Sequence, residues 1–135
     1  MSLCLATPAV AVTLALQGFT LSWAHSVERT DWRERWRVDG STLVLEEARV
    51  RGSGAGMEPP EGSVLQQGWW VYHPGLRVPA LHLAVSGATG DGWQLCTKGE
   101  CRDLERLLTH DGRAPASIEI RPDSERPCLR TDVPR

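Results

Sequence analysis

Two residues able to exchange a proton or hold a polar ligand, His25 and Glu34, fall on the inward positions of a run of alternating apolar residues. The run is VAVTLAL-QG-FTLSWAHSV-ERTD-WRERWRV-DG-STLVLEE, from Val10 to Glu47. Residues two apart share one side of a strand. Val10, Val12, Leu14 and Leu16 form one such set, and Phe19, Leu21, Trp23, His25 and Val27 a second. Trp32, Glu34, Trp36 and Val38 form a third. Antiparallel pairing through the short turns sets Trp23 opposite Trp36 and His25 opposite Glu34. A carboxylate buried alone is costly, so Glu34 needs a cationic or hydrogen-bonding partner, and His25 is placed to supply it. Two roles fit such a pair. One is structural, a buried pair that pins strand register. The other is a binding or acid–base pair in a pocket walled by Trp32 and Trp36.

Further candidates lie near the same end. Glu28 is on the loop joining the two strands, and Glu47 takes an inward position of the next strand, opposite Trp32 in this register. Carboxylates and a histidine at one rim suit a cation, but the spacing assigns no metal and no cofactor. Gly52-Ser53-Gly54-Ala55-Gly56 begins where that strand ends. Small residues there let the backbone approach a ligand, and successive N–H groups form an anion nest; the plainer alternative is a tight bulge with a flexible loop. The segment lacks the Gly-Lys-Ser/Thr end of a Walker loop and the strand–turn–helix setting of a dinucleotide fingerprint. Ser26 adjoins His25 and so points to the opposite face of the strand, which leaves nucleophilic catalysis without a base. His73, His82 and His110 stand alone.

The elements that must position these residues are strands. Gln17-Gly18 and Asp39-Gly40 read as two-residue hairpin turns, and Glu28–Asp31 as a four-residue loop. Arg33, Arg35 and Arg37 form the outward face of the third strand, either a solvated face or a docking surface for an acidic partner. Arg51–Gly62 is too rich in Gly and Pro to hold a strand. Gly68–His73, Ala80–Ser86, Trp93–Asp103 and Ser117–Ile120 resume the pattern. Leu104, Leu107 and Leu108 have helical spacing over one or two turns. These features predict a single all-β domain over 3–120, an antiparallel, meander-rich β-sandwich or flattened barrel. One short helix lies near its C-terminus, and 121–135 is a polar, frayed tail.

Composition narrows the function classes. Fifteen Lys plus Arg against seventeen Asp plus Glu give a net charge of −2 and no reason to expect nucleic acid or an anionic membrane as partner. Six tryptophans against one Phe and one Tyr indicate large core plugs or a stacking pocket. The apolar stretch Leu3–Leu16 lacks a basic leader, contains Pro8, alternates, and is too short to span a bilayer, so it is expected to be strand rather than export signal. The chain is thus expected to carry no export signal, and a start further upstream leaves an extracytoplasmic (periplasmic) location open. Cys96 and Cys101 face each other across a tight hairpin, a candidate disulfide in an oxidising compartment. Cys4 and Cys128 look solitary.

Three stretches taken together resemble the family catalogued as domain of unknown function 1850. They are Phe19-Thr-Leu-Ser-Trp-Ala-His25-Ser-Val-Glu28, Trp32-Arg-Glu34-Arg-Trp36 and Ser53-Gly-Ala-Gly-Met57, with Gly-Trp-Trp-Val-Tyr downstream. The resemblance extends from about Leu3 to Leu108, and its motif falls on His25, Ser26, Glu28, Glu34, Trp36, Gly54 and Gly56. Members are small bacterial proteins often encoded beside the membrane and solute-binding subunits of TRAP transporters of the TAXI type. The resemblance thus implies an accessory role in solute uptake, with transporter subunits and a small carboxylate or other polar ligand as partners. A small enzyme using the His25–Glu34 pair is the alternative.

Overall fold

A computed structural model describes residues 1–25, 30–52, 61–85, 92–124 and 126–131. Ser2–Ala6 (β1) and Ala11–Ala15 (β2) form a hairpin because Thr7 ties the turn. Its hydroxyl accepts hydrogen bonds from the N–H groups of Ala9 and Val10 at 3.1 and 3.0 Å. Pro8, with no N–H to satisfy, sits in the bend. The chain then crosses to a second sheet, whose centre is built from Gly18–His25 (β3), Thr30–Asp39 (β4) and Thr42–Gly52 (β5). Gln17-Gly18 is therefore not a hairpin turn, since β2 pairs β1 and not β3. Gly18 serves a different need, because a Cβ there would lie 3.2 Å from the carbonyl oxygen of Trp36 on the paired strand. The β4–β5 turn is Gly40-Ser41, one residue later than expected, because Asp39 pairs with Thr42 and Gly40 takes φ 61°. Glycine at the first central position of a two-residue hairpin supplies that angle without strain.

The remaining elements are Val64–Gln66 (β6), Trp69–Tyr72 (β7), Leu76–Val78 (β8), Leu81–Ala84 (β9), Gln94–Thr97 (β10), Glu100–Asp103 (β11), the helix Leu104–Leu107 (α1) and Ser117–Pro122 (β12). Among the described residues the smaller sheet runs β2-β1-β12-β9 and the larger runs β11-β10-β3-β4-β5-β7-β6, with β8 also on β5. All pairings are antiparallel, and the sheets stay open, so the architecture is a β-sandwich rather than a barrel. Leu3 and Leu5 of the smaller sheet meet Leu21, Trp36 and Leu43 of the larger one. Asp103 caps α1 by accepting from the N–H of Arg106, and the helix inserts Leu104 into one end of this core.

Among the described residues, the segment after β12 is tied back to β1 as far as Thr131. Cys128 is bonded to Cys4, so neither cysteine is solitary. Arg121 is buried, with its guanidinium donating to the carbonyls of Pro122, Arg126 and Pro127 and paired with Glu119 at 3.4 Å. Thr131 N–H donates to the Thr7 carbonyl at 3.0 Å. β1 is consequently covered on both sides, with Leu3 and Leu5 in the sandwich core and Cys4 tied to the segment behind it. No helix among the described residues is long and apolar enough to cross a membrane.

Candidate functional site

Three cross-strand rows organise the inner face of β3 and β4: Phe19 with Trp36, Leu21 with Glu34, and Trp23 with Trp32, while the backbone of His25 pairs with Thr30. This corrects the expected pairing of Trp23 with Trp36 and of His25 with Glu34. Trp23, Glu34 and Trp36 occupy the predicted face, but β3 ends at His25 and β4 starts at Thr30, four residues out of the expected register. His25 is now four residues along β3 from the partner of Glu34, about 13 Å at the usual rise. Cross-strand apposition therefore does not make a His–Glu pair.

In place of that pair is an aromatic surface with one carboxylate. Trp23 and Trp32 stack with ring centroids 5.8 Å apart and planes 3° from parallel, and Trp93 lies against Trp23 at 4.7 Å, tilted by 47°. Trp93 is held by an indole hydrogen bond to the Ala84 carbonyl at 3.0 Å. One row further in, Glu34 accepts a hydrogen bond from the indole of Trp36 at 3.2 Å, its one side-chain partner among the described residues. The row continues through Ala48 to Tyr72. Burial raises the Glu34 carboxyl above its ordinary pKa, and the Trp36 hydrogen bond only partly offsets this. Burial and then the charge of Glu34 raise the Tyr72 phenol. The Trp32 indole N–H is buried with no partner among the described residues. A cavity of about 170 Å³ near Trp23 and Trp32 is lined also by Ser22, Asp31, Arg33, Gly92 and Gln94, so it opens toward the outer side of β3 and β4 and does not reach Glu34. The arrangement offers flat apolar faces for stacking, an acceptor that becomes a donor on protonation, and an unused N–H.

Glu47 does not belong to this face. A β-bulge between β4 and β5 places Arg35 opposite Glu47 and Trp36 opposite Leu45, with Glu46 the extra residue. The insertion reverses the alternation, so Leu43 and Leu45 face inward before it and Ala48 and Val50 after it. Glu47 therefore sits outside with Arg49, Arg35 and His73, at 3.1, 3.6 and 3.7 Å. Burial pushes its carboxyl up, but the Arg49 hydrogen bonds and the charges of Arg49, Arg35 and His73 outweigh this and leave its pKa lowered. Glu34 and Glu47 thus lie on opposite faces of the sheet. No group of three or more potential metal ligands occurs among the described residues. On the same outer side, Arg33 and Arg51 lie over the Trp69 ring at 4.8 and 4.5 Å.

Ser26, Glu28, Ser53, Gly54 and Gly56 lie outside the described residues. His25 is placed by its backbone, in a row with Thr30 and Gly52, so the glycine-rich segment departs from β5 level with it. Cys96 and Cys101 are directly opposed on β10 and β11 and joined as a disulfide. Trp23, Tyr72 and Trp93 were not among the candidates from sequence. Trp23 was already visible by its inward position, and Tyr72 by alternation within Trp69-Trp-Val-Tyr72.

The family model described as Domain of unknown function (DUF1850) matches residues 19–104, more than half of the chain. The chain belongs to this family. The DUF1850 match starts at β3 and stops at Leu104, so it is shorter at both ends than the resemblance first suggested. It contains the whole aromatic and carboxylate surface and leaves β1, β2 and β12 outside. No curated protein and no solved structure matches the chain.

Proposed function

We propose that this DUF1850 protein is a non-enzymatic, small-ligand-binding accessory of a TAXI-type TRAP transporter. The observation that carries the binding role is the half-buried Glu34 carboxyl, held by Trp36 and set beside stacked Trp23 and Trp32. Aromatic faces supply contact area at low entropic cost, and a single placed polar group fixes orientation. A small polar molecule with a flat or apolar body fits that chemistry. The transporter link rests on the gene neighbourhood that the resemblance implies, and the family match over 19–104 supports only the resemblance. Two disulfides suit an oxidising compartment, where a solute-uptake accessory would work. The enzymatic alternative loses its motive, because strand register does not oppose His25 and Glu34.

The test has two arms. Thermal shift with a panel of small carboxylates and amino acids is expected to show stabilisation by at least one class. Co-purification with the transporter's solute-binding and membrane subunits is expected to show association. Failure of both arms sinks the proposal.

A further inference from the structure

We propose a second site on the opposite side of the larger sheet, which takes a small organic anion bearing more than one carboxylate, in a cleft flanked by Arg35, Arg37 and Lys98. The cleft encloses about 580 Å³, within the range of small-molecule pockets. Its floor is the outer side of β3, where Gly18 and Thr20 are small. Gly18 pairs with Arg37, and Thr20 with Arg35 on one side and Cys96 on the other. The β10–β11 turn carries Lys98 along the second wall. Cations thus stand on both sides of a low floor, two strand spacings or about 10 Å apart. One carboxylate of a ligand would meet the arginine wall and another Lys98.

The charge pattern favours an anion. Arg35, Arg37 and Lys98 line the cleft against the single carboxylate of Glu46, in a chain whose net charge is −2. Arg35 reaches Glu47 at 3.6 Å and Arg37 reaches Glu46 at 3.4 Å. Arg37 also reaches Asp39 at 3.7 Å, and these are long contacts made by arginines that are themselves exposed, so a ligand carboxylate can compete for them. Lys98, the chain's one lysine, makes no ion pair among the described residues. It also occupies a left-handed position, φ 51°, followed by Gly99 at φ 82°. Turns of this kind favour Asn there, so Lys98 runs against the local preference. The Cys96–Cys101 disulfide holds the hairpin that carries it. This cleft is on the other face from Glu34 and does not depend on the role proposed there.

The test is a citrate titration of the oxidised full chain at constant ionic strength, followed by amide chemical shifts. Saturable shifts at Thr20, Thr97 and Lys98 are expected. Lys98→Asn keeps the turn conformation and should weaken binding about tenfold, as should Arg35→Gln. Glu46→Gln removes the internal competitor and should tighten it. Inorganic phosphate in parallel should bind more weakly. Absence of saturable shifts at about 10 mM citrate, equal affinity in Lys98→Asn, or tighter binding of phosphate would overturn the proposal.

Discussion

Trp36 gives its indole N–H to Glu34 across 3.2 Å, which joins a ring that is 2% exposed to the one carboxyl on the inner aromatic surface. The bond explains how a bulky indole is accommodated in the core without an orphaned donor. It also commits Glu34 to two jobs, acceptor for the core and polar anchor for a ligand. Glu34→Ala should cost about 1–3 kcal/mol, because the Trp36 donor is then buried without a partner. Glu34→Gln keeps an acceptor and removes a charge that burial disfavours, so it should be neutral or stabilising at neutral pH. Urea unfolding of the two variants separates these outcomes. Equal destabilisation by both would show that the charge itself supports the fold.

The two carboxyls of opposite shift give a pH signature. Glu34 has a folded pKa above 4.5, so ionisation carries a stability cost that grows as pH rises from 4.5 through the folded value. Glu47 has a folded pKa below 4.5, so its contribution is complete above 4.5 and is lost as pH falls through the folded value. Glu34→Gln should therefore gain on the wild type as pH rises. Glu47→Gln should lose at about pH 7, by under about 1 kcal/mol, and converge with it as pH falls through the folded value. Melting temperatures across that range check both signs.

Much of the fold was legible because faces follow from alternation. Strand register was not, since sliding β3 against β4 by an even number of residues leaves every side chain on its face. The His25–Glu34 pairing failed for that reason, although the inward positions of Trp23, Glu34 and Trp36 held. The bulge at Glu46 has no composition cue, and it alone moved Glu47 to the outer face. Gly18 mimics a turn residue but is extended and needed for close approach to Trp36. Cys4 and Cys128 are 124 residues apart, beyond any local pattern, whereas Cys96 and Cys101 face each other across a turn that spacing reveals.

The same contrast in separation ranks the disulfides. Closure entropy grows with loop length, so the Cys4–Cys128 bond should contribute about 5 kcal/mol and the Cys96–Cys101 bond about 2 kcal/mol. Paired Cys→Ser replacements and thermal melts measure this. A larger loss from the hairpin bond would mean that its role is native-state geometry rather than chain entropy.

Trp23 and Trp32 should be energetically coupled. A double-mutant cycle with Phe-free truncation to Ala is expected to return about 0.5–1.5 kcal/mol for the stacked pair. Circular dichroism should show an exciton couplet in the wild type that Trp23→Ala removes and Trp32→Ala changes, since Trp23 and Trp93 stay in contact in the latter. Additive losses and an unchanged spectrum would contradict the stack.

The most direct measurement for the proposed role is a tryptophan-fluorescence titration with small carboxylates and amino acids, run on the wild type, Glu34→Gln and Trp32→Ala. A saturable change is predicted for at least one compound in the wild type. Both variants should weaken it by about tenfold or more, the loss of one good polar or stacking contact. A wild type indifferent to every compound, or binding that survives both substitutions unchanged, would contradict the placement of a ligand site at Glu34 and the stacked tryptophans.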